Sequence, residues 1–483
     1  MTDELKGKLK NAFSDMIVYK DLKKSNFFST CNLPSFMRDY LLRKFQNLDY
    51  EYDMESIKNF IKKYLPQKDE WDTIKDRLIF DYESIKLLTQ IKADIDINSG
   101  TITFTLPKFN LKKSETTIKS DVWERVRDKL TTGSEVWGVV ELKYVNEIVG
   151  KKERGLIALK SFISFCPYNE SDLDQYKDLR EYFNIDEWID IILGAIDYNP
   201  DGYEDQINKL TMIKRLLPFV EKRINIMELA PKGTGKSYLF GRLSRFTYLL
   251  SGGKISRSNL FYNKSKSLEG LIFHYDFLGI DEIQTITCDD VGDMRSVLKT
   301  YMEEGAYRGD KWSGSAAAGV VLLGNVDESE MSAKGKLFDK LPTLFKESAL
   351  LDRFHGFIEG WLIPRMDEDL KMTGIALNTE YFTHILHKLR DDVSYRMIID
   401  ELIVVPAKAD TRDTEAVKRL ATGFLKLLFP HVRRSEQISE KDFKKYCLDP
   451  AVSMRGIILT QLGYIDTEFR DKKMPKFKVK VEK

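Results

Sequence analysis

Apolar residues recur at helical spacing over roughly the first 80 positions. Examples are Leu9-Lys10-Asn11-Ala12-Phe13 and Leu33-Pro34-Ser35-Phe36-Met37-Arg38-Asp39-Tyr40-Leu41-Leu42, where Pro34 suits a first helical turn. Residues 1–85 are therefore expected to form a helical region. From about residue 88 the period shortens to two. Ile95 and Ile97 alternate with Asp94 and Asp96, Ile102, Phe104 and Leu106 alternate with Thr101, Thr103 and Thr105, and Asn98-Ser99-Gly100 is the turn between them. Strand-like runs come next at Trp137-Gly138-Val139-Val140-Glu141-Leu142 and Gly155-Leu156-Ile157-Ala158-Leu159, separated by Lys151-Lys152-Glu153-Arg154. Residues 86–167 thus predict a small β domain, a sheet or OB-like barrel of a kind that often binds DNA. Residues 168–223 read as a helical connector, and 224–365 alternate strand and helix, as a mostly parallel sheet covered on both faces does. Residues 366–483 read as helices followed by a basic stretch at 471–480, expected as a solvated tail rather than an edge strand.

At 483 residues the chain is long enough for two or three domains, each with its own core. Its 76 basic and 75 acidic residues give a formal charge of +1, so nothing draws the whole molecule to nucleic acid or to anionic membrane, and any such binding must come from local patches. Cys31, Cys166, Cys288 and Cys447 are widely scattered, which fits neither a disulfide framework nor a zinc site. The N-terminus lacks an apolar signal core, and no run approaches the ~18 apolar residues of a membrane span. A cytoplasmic protein without membrane attachment is expected.

The chemistry begins where Ile224-Asn225-Ile226-Met227-Glu228-Leu229, a buried-strand pattern, runs into Ala230-Pro231-Lys232-Gly233-Thr234-Gly235-Lys236-Ser237. This is the pattern of a phosphate-binding loop, in which consecutive backbone N–H groups wrap a phosphate and glycines permit the close approach. Pro231, Lys232, Gly233, Thr234, Gly235, Lys236 and Ser237 are the expected ATP-binding residues, Lys236 reaching the β/γ-phosphates and Ser237 ligating Mg²⁺. Ala230 stands where a first glycine is usual, the mildest replacement. A strand, turn and helix with fortuitous glycines would look the same over eight residues, so the partner motifs downstream in the chain decide the matter.

Phe277-Leu278-Gly279-Ile280-Asp281-Glu282 lies 45 residues beyond Lys236, counted to Asp281, and has the form of a buried strand ending in two carboxylates. Asp281 is expected to hold Mg²⁺ and Glu282 to activate the attacking water. The next strand pattern, Val320-Val321-Leu322-Leu323-Gly324-Asn325, ends in an amide, and Asn325 is expected to position the γ-phosphate or the lytic water without adding charge. In Ala349-Leu350-Leu351-Asp352-Arg353-Phe354-His355, Arg353 reads as an arginine finger acting on a neighbouring subunit's nucleotide, the alternative being a structural Asp352/Arg353 pair. Residues 302–315 read as a helix end and a short hairpin. In a ring pore, Arg308 and Lys311 would meet DNA phosphates while Trp312 packs or stacks on bases; a plain charged hairpin is the alternative. His384 and His387 read as helix-face residues, and Asp289, Asp290 and Asp293 as an acidic helix start rather than a calcium loop.

In this order the loop, the Asp-Glu strand, the hairpin, the Asn325 strand and the Leu-Leu-Asp-Arg-Phe segment resemble the AAA+ fold in the version used by MCM-type helicases. Glu228–Ser237, Leu260-Phe261-Tyr262-Asn263, Ala349–His355 and Gly360-Trp361-Leu362-Ile363-Pro364 are similar to the Lon-related BrxL family of BREX phage-defence systems, as is Leu33–Leu42. The resemblance implies an α/β AAA+ P-loop domain with a helical lid, preceded by the helical and small β regions. It implies ATP and Mg²⁺ as cofactors and a hexameric or larger ring, with stacked rings allowed. It also implies DNA and other BREX components as partners, and Arg412 as sensor 2. Related members carry a further Lon-protease-like domain, which this chain is expected to lack. Three readings stay open: a DNA-encircling ATPase, an AAA+ unfoldase without its own peptidase, and a nucleotide-gated scaffold that blocks DNA.

Overall fold

The computed structural model describes residues 1–480 except 24–27, 29–30, 32, 48–49, 97–99, 131–134, 150–151, 166, 169–170, 265–267, 310–311 and 328–330. Ile97, Asn98, Ser99, Lys151, Cys166 and Lys311 therefore lie outside the described residues. Packing divides the chain into two compact units, Leu41–Asn169 and Met1–Tyr40 with Glu170–Lys483. The region expected to be one helical piece, 1–85, is shared between them.

In the Leu41–Asn169 unit, five strands lie in the spatial order Thr101–Thr105, Ile85–Asp96, Val136–Val149, Lys152–Ser164, Thr116–Ile118. All neighbours are antiparallel except the last pair, which is parallel, and helix Ser120–Leu130 makes the crossover. The two outer strands meet through one side chain. Thr116 Oγ1 accepts from the Phe104 amide at 2.9 Å and donates to the Phe104 carbonyl at 2.6 Å, drawing the sheet into a partly closed barrel. Leu87, Ile91, Phe104, Val140, Leu142, Ile157 and Leu159 fill its interior, and Trp71 stacks on Phe109 beside it.

The other unit is built on five parallel strands: β1 (Ile226–Ala230), β2 (Thr247–Ser251), β3 (Phe277–Asp281), β4 (Gly319–Asn325) and β5 (Gly356–Glu359). Their spatial order is β5-β1-β4-β3-β2. Every residue of β1 and β3 is buried, which is why both read as near-continuous apolar runs, broken only by Glu228 and ended by Asp281, instead of alternating ones. Helix α1 (Lys236–Arg242) follows β1, α2 (Val291–Glu304) lies between β3 and β4, and α3 (Thr411–Leu428) and α4 (Asp449–Ile465) pack on each other, α4 also against β5. Among the described residues no helix is long and apolar enough to cross a membrane.

Two sequence expectations need correction. Ile17–Asp21, inside the supposed helical region, is a strand paired antiparallel with Thr373–Leu377, itself an interruption of the helical 366–470 stretch. No local pattern announces the pairing, because its partner lies at the far end of the chain. The basic stretch near the C-terminus is not a free tail: Lys478–Val479 pairs with Ile403–Val404, Val479 is buried, and Lys472 bridges Asp410 and Asp413.

The first strand is fastened by charge as well as by hydrogen bonds. Lys20, without exposure to solvent, donates to the carbonyls of Gly194 and Ala195, to Thr379 and to Asp197, and lies 3.1 Å from Asp39. Arg38 bonds both of these carboxylates. Burial by itself would raise the pKa of Asp197, yet Arg38 and Lys20 hold it well below the usual carboxylate range. Removing one cation leaves two buried carboxylates on the other. Lys20→Met is expected to lower the free energy of unfolding by about 3–5 kcal/mol, read from the urea midpoint; a loss below about 1 kcal/mol would contradict this account.

Candidate nucleotide site

Because the five strands are parallel, their C-terminal ends lie together, and a parallel α/β sheet binds its ligands there. Ala230 and Asn325 are register partners on β1 and β4, and Asp281 ends β3 alongside. Gly233 and Gly235 take positive φ of 85° and 77°, and a Cβ on Gly235 would come within 2.2 Å of the Tyr198 hydroxyl, so only glycine fits there. Lys236 turns its ammonium back across the loop, 3.3 and 3.1 Å from the carbonyls of Ala230 and Pro231 and 3.2 Å from Asn325 Oδ1. Burial pushes its pKa down, against the pull of Glu228 and Asp281. Ser237 Oγ donates to Asp281 Oδ2 at 2.5 Å. A hydroxyl and a carboxylate side by side form the hard oxygen donor set that Mg²⁺ prefers, and a glycine cradle beside a lysine suits a polyphosphate.

Glu282, one residue past the strand, is held at φ 51°, a left-handed conformation costing a non-glycine residue about 1–3 kcal/mol. Asp281 Oδ1 accepts the Glu282 amide at 2.9 Å, and the Glu282 carbonyl accepts from Thr285 N at 2.8 Å, which fixes the turn. The carboxylate therefore leaves the strand axis and stands exposed at the same end as Lys236, Ser237 and Asn325.

What lies beneath the loop has no signature in the sequence. Arg215 and Glu228, both without solvent exposure, form a two-point ion pair at 2.9 and 2.5 Å, and the same guanidinium donates to the Thr234 carbonyl at 2.8 Å. Thr234 Oγ1 in turn donates to the Pro231 carbonyl at 3.3 Å. On the other side Tyr238, next to Ser237, donates to Asp197 at 2.6 Å and accepts from Ser35, tying α1 to the N-terminal segment.

Arg353 and Arg412 are not part of this end. His355 exchanges hydrogen bonds with Asn225 at 2.8 and 2.9 Å, and Gly356 is the register partner of Ile226, so the Arg353 segment sits where the strands begin. Burial, reinforced by Arg419 and Arg455, pushes the His355 pKa well below its ordinary value, leaving Nδ1 able to accept the Asn225 amide. The length of β1 alone puts roughly 13 Å between the two ends, beyond the reach of an arginine side chain. The expected alternative of an Asp352/Arg353 pair gives way to another arrangement. Asp352 bonds Arg412 at 2.9 Å and the fully buried Arg455 at 2.5 Å, while Arg353 lies 3.0 Å from Glu303. Arg455 also holds Asp413 and the carbonyls of Asp352 and Phe354, a role its sequence surroundings do not announce.

The hairpin exists, with Ala306–Arg308 antiparallel to Ser313–Ser315. Arg308 is largely exposed and pairs with Glu304 at 2.6 Å. Trp312 takes the packing role: its ring stacks on Tyr262 at 4.9 Å and meets Phe273 edge-on at 4.9 Å, so that face is already spent. His387 stacks on Phe246 and bonds Asp276, Asp290 caps α2, and among the described residues no cluster could hold a metal through His, Cys, Asp and Glu alone. The support beneath the loop can be separated from stability. Arg215→Met should cost about 3–5 kcal/mol by leaving Glu228 unpaired, and Arg215→Met with Glu228→Met should recover most of it in urea unfolding. Binding of a fluorescent ATP analogue should stay at least about tenfold weaker in the double variant, since the Thr234 anchor is gone. Wild-type affinity there would refute the positioning role.

A family model described as the ATPase domain of Lon-like protease BrxL-like proteins matches residues 157–475. A second, the N-terminal domain of the BREX system Lon protease-like protein BrxL, matches 11–144. A "Lon-like protease BrxL" of Escherichia coli O9:H4 (strain HS) is 29% identical over 467 residues, which is 95% of this chain and 65% of that protein. One of Bacillus cereus (strain H3081.97) is 29% identical over 438 residues, 89% of this chain and 63% of the relative. The chain thus spans a little under two thirds of the length of these curated relatives. The ATPase match alone runs from the last strand of the barrel through the phosphate loop to the segment beyond α4, well over half of the sequence, and on that ground the chain belongs to the BrxL-like family.

Proposed function

We propose that this chain is an ATP-hydrolysing AAA+ protein of a BREX-type anti-phage system, working in the cytoplasm as a hexameric or larger ring that binds or encircles DNA. One observation carries the reading: Lys236, Ser237, Asp281, Glu282 and Asn325 lie at one end of the parallel sheet, while Arg353 and Arg412 lie at the other. A complete site then needs two copies of the chain, one offering its loop end and the other its arginine end. The strand order β5-β1-β4-β3-β2 and the helices after β5 agree with an AAA+ core and lid.

In this reading Pro231 to Gly235 cradle the triphosphate, Lys236 leaves the loop carbonyls for the β/γ-phosphates, and Ser237 with Asp281 holds Mg²⁺, which neutralises phosphate charge when bound. Glu282, exposed on its fixed turn, takes the proton of the attacking water; Asn325 fixes that water's position. Arg353 of a neighbouring copy neutralises charge on the transferred phosphoryl group, with Arg412 as its companion. Arg308 on the hairpin, with Lys311, supplies cations for DNA phosphates, and the barrel topology of the Leu41–Asn169 unit is of a kind that holds oligonucleotides. The exposed hairpin offers arginine while its tryptophan is packed away, which favours DNA over the extended polypeptide gripped by an unfoldase.

Glu282→Gln should bind ATP and lose turnover by about 100-fold or more. Arg353→Ala and Lys236→Ala should each be inactive alone, and mixing them should restore ATPase, because the first supplies an intact loop and the second an intact arginine. No recovery on mixing, or stimulation by unfolded polypeptide in place of duplex DNA, would reject the ring on DNA.

A further inference from the structure

If Arg353 serves a neighbouring copy, as proposed above, its surroundings within a single chain become informative. There the two arginines already share an anion: Glu303 Oε2 lies 3.0 Å from Arg353 Nε and 3.2 Å from Arg412 Nη2. They border a cavity of about 130 Å³ that Arg223 and Arg419 also line. The crowding of guanidinium groups registers in their acidity. Burial and then Arg412 push the Arg353 pKa down, and burial and then Arg419 do the same to Arg223. Of the other acids of the wall, Asp352 bridges Arg412 to the buried Arg455 but does not pair with Arg353, and Glu415 is committed to Arg396 and Arg419. Glu303 is different: it is half exposed and pairs with the two arginines from the last turn of α2.

That turn is electrostatically uneasy. Glu303 and Glu304 both stand at a helix C-terminus, where the macrodipole disfavours anions, and each is offset by arginine: Glu303 by Arg353 and Arg412, Glu304 by Arg308. Gly305, at φ 73°, caps the helix, and the hairpin starts at the next residue. We propose that Glu303 is a latch on the arginine pair, occupying in the unassembled chain the place taken by the γ-phosphate of a nucleotide held by a second copy. Assembly on ATP exchanges Glu303 for that phosphate. The freed carboxylate loses its counter-charges at the base of the hairpin, so the neighbour's nucleotide is communicated to Arg308 and to DNA held there. Glu303 is a positioning residue, acting through the arginines.

The test measures ATPase of the full chain against protein concentration, with and without duplex DNA, for wild type, Glu303→Gln, Glu303→Asp and Arg353→Ala. Glu303→Gln keeps the shape and removes the charge. It should reach half-maximal activity at a protein concentration at least about fivefold lower and lose most of its stimulation by DNA. Glu303→Asp, which keeps the charge, should restore wild-type dependence on both. A Glu303→Gln curve superimposable on wild type, or a loss of turnover as deep as that of Arg353→Ala, would overturn the latch. If Arg353→Ala itself turns over normally, the failure lies in the two-copy reading of the site and not in Glu303.

Discussion

Strands that all run the same way give a sheet two unlike ends, and the arrangement of this ATPase unit comes from that asymmetry. Each parallel strand delivers its last residue to one edge, so Ala230, Asp281 and Asn325 arrive together although long stretches of chain separate them. The segment before β5 is delivered to the other edge by the same geometry, and Arg353 with it. No side-chain rotation brings the two groups together within one copy. An antiparallel sheet could have put both at one end; a parallel one keeps them apart.

The two halves of the unit, the loop end and the arginine end, are each braced from beneath. Both halves achieve this with ion pairs withdrawn from water: Arg215 with Glu228 under the loop, and Arg455 with Asp352 and Asp413 under the arginine pair. Buried pairs are a poor source of net stability, because desolvation consumes most of the Coulomb gain. Their value here is geometric. A guanidinium fixes carboxylate and carbonyl oxygens in one plane, and in both halves it also bonds backbone carbonyls of the segment it supports.

The backbone geometry of the loop end was legible in the sequence because its requirements are local. Gly233 and Gly235 are needed by the φ of their own residues, and β1 and β3 announce themselves by burial on both faces. Arg215, Arg455 and Lys20 were invisible because an arginine or lysine in isolation reads as surface, and only distant partners make it buried; Lys20 finds Thr379. Trp312 had two readings, packing or stacking on bases, and the packing one is what the structure shows. The sequence could not choose between them, because the partners Tyr262 and Phe273 come from another segment. The strand Ile17–Asp21 and the paired Lys478–Val479 were missed for the same reason, since a strand of a few residues has no period to read and is defined by whichever segment it meets.

That strand also bears on how the protein comes into being. The barrel unit is contiguous from Leu41 to Asn169, so all its strands exist soon after its last residue is made. Ile17 pairs with Leu377, and Lys20 needs Thr379. At about 5–20 residues per second, the first strand leaves the ribosome tens of seconds before its partner does. Throughout that interval the sequence Ile-Val-Tyr-Lys-Asp is an unpaired apolar segment with a cation it cannot yet bury. The beginning of the chain is thus among the last parts to fold, and the Gly233–Ser237 loop, tied to it through Tyr238 and Asp197, reaches its final anchorage only when synthesis has passed Thr379.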